Sequence, residues 1–314
     1  IPGVTKRHLQ KKKDIQTGFV AFLVFSLVFA TGAFSGRYQE FLAPRIWASV
    51  TDEWEQAGRS ASDSAFPMLY EKPDLFLRAI RNHQPDPVTV RVNGLTVPHH
   101  LLVSGLIADG FARIRTQKYD RIIILCPDHF WRGRSPVSVA VRDFETCLGN
   151  LRVDRQAVAE ILAHPLASAS NLFSHEHGVQ AVLPFIAHHW PQARILALAL
   201  TNKVRPHELR SIAESLTPLL SSNTLLLQST DFSHYLSPES ARQHDQETLR
   251  ILAGGDPEQV WEVKQPKHID STGALYLQTR LQKECYGARP LVIANHNSAE
   301  FVRDPPKKTT SYMT

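Results

Sequence analysis

Histidines and carboxylates recur in this chain just after apolar runs, in Val97-Pro98-His99, Cys126-Pro127-Asp128-His129, His175-Glu176-His177 and Ser229-Thr230-Asp231-Phe232-Ser233-His234. Neutral imidazole binds Zn, Cu, Fe and Ni, and an added carboxylate biases such a set toward harder metals. Three of the four segments follow stretches typical of buried parallel strands, and open α/β sheets gather functional groups outside the carboxyl ends of such strands. Residues distant in sequence are therefore expected to meet at one sheet edge as a metal pocket. Asp231 and His234 follow the run Leu225-Leu226-Leu227-Gln228-Ser229 and could serve there as carboxylate and proton carrier. Ordinary readings compete. His99 and His129 taken singly are loop histidines, Asp231 could hold its own turn, and Ser237 could cap the helix starting at Pro238. Glu176 opens a helix where the dipole favours a carboxylate anyway, which leaves His177 the better site candidate. Ser229, Asp231 and His234 crowd within a few positions, and no Gly-x-Ser-x-Gly elbow accompanies them, which argues against a serine triad.

Alternating elements must carry these side chains. Strands are expected over 89–97, 121–126, 137–141, 194–200, 224–229 and 290–294, most of them rich in Val, Ile and Leu. Helical periods lie between them over 101–116, 154–163, 177–188, 207–219, 238–252 and 272–281. The alternation predicts a single three-layer α/β domain over 85–314, with a mostly parallel central sheet flanked by helices. Residues 37–84 read as a linker and helical lead-in.

At 314 residues with 43% hydrophobic content, the chain can bury a sizeable core. The net charge of +5 is concentrated at the start, where Lys6, Arg7, Lys11, Lys12 and Lys13 face only Asp14. No basic stripe with interleaved aromatics follows, so no nucleic-acid partner is expected. After a basic tail over 1–16, residues 17–36 lack charge, long enough for one transmembrane helix at about 20 residues per crossing. The charge bias predicts a single-pass membrane protein in contact with the lipid bilayer, its amino terminus cytoplasmic and its main domain outside. A cleaved signal peptide, with export of the domain, is the competing reading. Cys126, Cys147 and Cys285 have no metal-ligand spacing, and no disulfide framework follows from them.

The segments Pro98-His99, Pro127-Asp128-His129, Glu176-His177-Gly178-Val179-Gln180-Ala181-Val182-Leu183-Pro184-Phe185 and Ser229-Thr230-Asp231-Phe232-Ser233-His234-Tyr235 resemble the Memo-like family, known in prokaryotes as AmmeMemoRadiSam system protein B. The resemblance covers roughly 85–314. It implies the fold of class III extradiol ring-cleaving dioxygenases, which use non-haem iron(II). It also implies His99 and His129 as metal ligands, with a third ligand that is commonly a cysteine. Here the matching stretch is Lys267-His268-Ile269-Asp270-Ser271-Thr272-Gly273, so the third position falls on Asp270, whose alternative role is to cap the helix near Thr272. Two histidines and a carboxylate make the set used by iron(II) oxygenases, so iron(II) is favoured over copper or zinc. His177, Asp231 and His234 match pocket positions around the open coordination sites and are the catalytic candidates. The expected function is a metal-dependent oxidoreductase; the alternative is a scaffold that recognises a small molecule, a peptide or a protein in the same pocket. The family name implies AMMECR-type and radical SAM partners, which a domain outside the membrane could not meet.

Overall fold

The computed structural model describes residues 64–304 and 307–314. The compact unit spans Ser64–Thr314 and is a mixed α/β fold with a seven-stranded, mostly parallel sheet. Its elements run α1 (Pro73–Asn82), β1 (Gly94–Val97), α2 (Ser104–Arg113), β2 (Arg121–Pro127), β3 (Val137–Val139), β4 (Arg152–Val153), α3 (Arg155–Leu162) and β5 (Ala167–Ala169). The chain continues through α4 (His177–Gln180), α5 (Leu183–His189), β6 (Arg194–Leu200), α6 (Pro206–Leu216), β7 (Thr224–Ser229), β8 (His234–Leu236) and α7 (Pro238–Gly254). It ends with α8 (Thr272–Tyr286), β9 (Asn295–Asn297) and β10 (Thr309–Met313). The main sheet has the order β1-β7-β2-β6-β3-β5, with β4 also on β6 and only the β3–β6 pair antiparallel.

Alternation along the central strands divides two cores. Ile122, Ile124 and Cys126 of β2 face Phe76, Ile107, Phe111 and Phe185 on one side. Ile123 and Leu125 face Ile161, Leu209, Leu216 and Leu277 on the other. A strand buried on both faces needs apolar residues at every position, which is why β2, β6 and β7 read as continuous runs. Packing starts upstream of Pro85, since Phe66 is fully buried, packs at a tilt on Phe144 at 5.2 Å between ring centroids, and carries the Arg142 guanidinium over its ring.

Three expectations change. The transmembrane helix placed ahead of the domain, and the single-pass membrane location drawn from it, are corrected: no helix among the described residues is long and apolar enough to cross a membrane. The longest, α7, has 17 residues and is interrupted by charge at Arg242, Asp245, Glu247 and Arg250. Residues 17–36 themselves lie outside the described residues. The helix expected over 177–188 is broken into α4 and α5, because Pro184 has no amide proton to donate and its ring would clash with the carbonyl of Gln180. The strand expected over 290–294 is not formed; Ile293 and Ala294 bond only to the backbone of Thr314, and the strand begins at Asn295. It belongs to a second, antiparallel sheet, β8-β10-β9. Buried Asp245 of α7 fastens that sheet by accepting from Ser233 and Ser311, each at 2.6 Å, and from Asn295 at 3.1 Å.

The end of α5 carries a testable acid sensitivity. His189 lies along the Phe111 ring, and its Nε2 is buried with no hydrogen-bond partner among the described residues. Burial, reinforced by His188 and Arg115, lowers its pKa to about 4. Below the unfolded-state value near 6.5, the unfolded chain therefore takes up a proton that the native chain excludes, and stability falls as pH drops from about 6.5 toward 4. His189→Phe should match the wild-type stability at pH 7.5 and exceed it at pH 5, by on the order of 1–2 kcal/mol. Equal acid sensitivity in thermal melts of both chains would show that His189 is not responsible.

Candidate metal centre

Adjacent parallel strands β1, β7 and β2 end at one edge of the sheet, with Val97 in register with Ser229. Two residues beyond its strand each, β1 delivers His99 and β2 delivers His129, while β7 runs on to Asp231. Helix α4 enters the same edge and presents His177 from its first position. One ring nitrogen from each of His99, His129 and His177 lies within 4.8 Å of the other two. The rings of His99 and His129 are 4.7 Å apart between centroids, and those of His129 and His177 3.9 Å.

Hydrogen bonds on the far side of two rings decide which nitrogens face inward. Glu176, fully buried, accepts from His129 Nδ1 at 2.6 Å, from the His129 amide at 3.1 Å and from the Gly178 amide at 2.8 Å. His99 Nδ1 lies 3.4 Å from Ser229 Oγ, whose own proton goes to the Gly178 carbonyl. Both rings therefore turn Nε2 into the pocket, and an ion taking the place of the proton on His129 Nε2 would leave that ring with the carboxylate-histidine support found behind metal ligands. The two Nε2 atoms meet one oxygen, Asp270 Oδ2, at 3.3 Å from His99 and 3.8 Å from His129.

Asp270 does not cap the following helix. That role belongs to Ser271, whose hydroxyl accepts from the Ala274 amide. Asp270 is locked to Asp231 by paired contacts: Asp270 Oδ2 accepts from the Asp231 amide at 2.9 Å, and the Asp270 amide donates to the Asp231 carbonyl at 3.0 Å. The second oxygen, Oδ1, is buried with no hydrogen-bond partner among the described residues. An unsatisfied buried carboxylate oxygen costs free energy, and on a carboxylate whose other oxygen lies beside two imidazole nitrogens it fits a cation. The donor set thus suits a metal ion. Asp231 backs His99 by accepting from its amide at 3.1 Å, with Oδ2 3.7 Å from its Nε2.

Electrostatics follow from this crowding. Burial opposes charge on His129, but the carboxylates of Asp270 and Glu176 overcome it and push its pKa up to about 10. Glu176 is the closer partner; Asp270, at 3.8 Å, acts through its charge. His99 goes the other way, well below its ordinary value, through burial and then through His129 and His177. His177 falls to about 4 by burial and by repulsion from His129. Asp231 is raised by burial and by the neighbouring Asp270.

Of the residues singled out from sequence, His99, His129, His177, Asp231 and Asp270 converge. His234 stands farther out on β8, its Nδ1 bonded to the Phe232 carbonyl, and takes no part in the three-imidazole cluster. Cys126 underlies the site as a buried thiol, pushed well up by burial and by the nearby carboxylates of Glu176, Asp270 and Asp128, and all three cysteines are free. Asp128 is occupied in holding its own turn, accepting from the amides of Arg132 and Gly133. Two contributions escaped the sequence reading. Glu176 caps α4 as the helix dipole favours, but it also orients His129, for which its place between His175 and His177 was the only signal. His100, near enough to act on His177, pairs through Nδ1 with buried Tyr312 at 2.6 Å. Among the described residues, the non-glycine positions with positive φ are Trp131 (53°) and Tyr235 (62°), both largely exposed and each just beyond a candidate histidine, His129 or His234. Strained backbone of this kind concentrates at functional sites.

Residues 64–314 match the family described as Memo-like protein. A MEMO1 family protein of Aquifex aeolicus is 27% identical over 211 residues, covering 62% of this chain and 54% of that protein. One of Thermotoga maritima is 26% identical over 241 residues, covering 73% of this chain and 85% of the relative. One of Methanosarcina barkeri is 25% identical over 193 residues, covering 60% and 72%. The chain thus aligns with little more than half of the Aquifex protein and with most of the Thermotoga one.

Proposed function

The chain belongs to the family of Memo-like proteins, and from that premise we propose that its pocket is a mononuclear metal site for oxidation of a small molecule, with iron(II) the favoured ion. The observation that carries the proposal is the meeting of His99 Nε2 and His129 Nε2 at the Asp270 carboxylate. These three residues would hold the ion. Two imidazoles and a carboxylate are the composition of non-haem iron(II) oxygenase sites. Such an ion supplies open positions where dioxygen and a substrate oxygen can be brought together. Glu176 fixes the direction of the His129 ring, and Asp231 holds the backbone at His99. His177, the most exposed of the three clustered imidazoles, stands at the mouth, where its ring nitrogen can take a proton from an entering hydroxyl group. Cleavage of a catechol ring with dioxygen is the sharpest form of this reading.

The test is metal content by elemental mass spectrometry on the full chain purified without added metal, beside His99→Ala/His129→Ala/Asp270→Ala. Loss of about one equivalent in the variant supports the site, and equal content in both chains overturns it. Anaerobic loading with iron(II), followed by catechols and oxygen, should give oxygen uptake. A loaded protein that consumes none across the panel would rule out ring cleavage.

Glu176→Gln isolates the support behind His129. The amide keeps the shape but loses the charge, so metal affinity should fall about 10-fold to 100-fold while the fold is retained. Unchanged affinity in a chelator competition would mean that Glu176 only caps α4.

A further inference from the structure

We infer that His244, Glu247 and His268 form a second divalent-metal site, distinct from the pocket at His99 and His129 and independent of the function proposed for it. His244 and Glu247 stand three residues apart on α7 and so share one face of that helix, while His268 comes from the loop leading to α8. One donor atom from each lies within 4.8 Å of the other two. The two rings are 4.7 Å apart and steeply inclined, and His268 Nε2 is 2.8 Å from Glu247 Oε2.

Both rings are held for metal binding. His244 Nδ1 donates to the Ser240 carbonyl at 2.8 Å, which leaves the lone pair on Nε2. His268 Nδ1 lies between the Lys264 amide at 3.2 Å and the Lys264 carbonyl at 3.4 Å. Each tautomer therefore has a backbone partner. With its proton on Nε2 the ring pairs with Glu247; with the proton moved to Nδ1 it donates to the Lys264 carbonyl and frees Nε2 for a metal. Backbone carbonyls behind ligating histidines serve this purpose generally. An ordinary His268–Glu247 ion pair explains the 2.8 Å contact but not why His244 brings a third donor against it.

Two imidazoles and one carboxylate, with Glu247 half exposed to solvent, suit zinc or cobalt(II) with at least one position left to water. His268 precedes Asp270 by two residues, so an ion held here ties α7 to the loop that presents Asp270 to the first pocket.

The probe is cobalt(II), titrated into chelator-stripped full-length chain and followed by visible absorption and by metal analysis after desalting. Wild type should bind one equivalent more than His244→Ala/His268→Ala. His99→Ala/His129→Ala should retain the equivalent that the second pair removes. Glu247→Gln should weaken that equivalent at least about tenfold. This carboxylate is exposed, so its replacement leaves folding intact even if the buried His268 ring proves necessary for it. Wild-type stoichiometry and affinity in both Glu247→Gln and His244→Ala/His268→Ala overturn the site. A loss confined to His99→Ala/His129→Ala does so too, and it leaves the first pocket standing. Conversely, metal bound only through His244 and His268 would sustain this inference while removing the proposed function.

Discussion

His99→Ala/His129→Ala is expected to weaken metal binding at the first pocket by on the order of 10³-fold or more, because two of the three candidate donors disappear together. Oxygen uptake should vanish with it. The two single substitutions should differ in stability, and the difference tests the electrostatic account of the site. His129 is the counter-charge of two carboxylates, Glu176 and Asp270, the first of them fully buried. His99→Ala removes a ring held neutral by burial, whereas His129→Ala leaves the carboxylates of Glu176 and Asp270, one beside each ring nitrogen, without the cation between them. The second should therefore cost more, on the order of 3 kcal/mol in denaturant unfolding of the metal-free chain. If both alanines were equally mild, the charge assigned to His129 would be wrong even if the metal assignment survived.

How far the site could be read in advance depended on which force places each residue. The positions of His129 and Asp231 were legible because β2 and β7 are central strands with apolar runs, and polar residues after such a run lie at the sheet edge; His99 follows the shorter, half-buried edge strand β1 in the same way. Asp270 was not legible in that way. It follows no strand, its neighbours read equally well as a helix cap, and only the family resemblance singled it out. The structure separates the roles by giving the cap to Ser271, which frees the carboxylate for the histidines. Glu176 was seen as a helix-terminal carboxylate, and it is one; its second bond, to His129 forty-seven residues earlier, is tertiary and has no local trace. The small β8-β10-β9 sheet was missed for a related reason. Its strands are three to five residues long, rich in Asn, Ser and Thr, and held by the buried carboxylate of Asp245 rather than by apolar alternation. The upstream residues from Ser64 read as linker because Pro67 and Pro73 mark breaks there, yet Phe66 and Phe76 fill the first core.

Asp270→Cys is expected to change the metal that the pocket prefers. The thiolate is a soft donor, so copper(I) affinity should rise by on the order of 10³-fold while iron(II) affinity falls. The site can take the exchange sterically. A cysteine sulfur stands near the position of the carboxylate carbon, and metal–sulfur bonds, about 2.3 Å, are longer than metal–oxygen bonds, about 2.0–2.2 Å, which offsets part of the lost reach. The Asp231 amide, which donates to Asp270 Oδ2, keeps an acceptor in the thiolate, though a weaker one. Asp270→Asn is the necessary companion. It preserves shape and hydrogen bonding but removes the charge, so it should lose iron(II) without gaining copper(I). Anaerobic competition against a copper(I) chelator and against an iron(II) chelator reads both changes. Should Asp270→Cys leave both affinities as they are, the third donor is not at this position. The remaining imidazole of the cluster, His177, would then be the ligand, and His177→Ala rather than any change at Asp270 should release the metal.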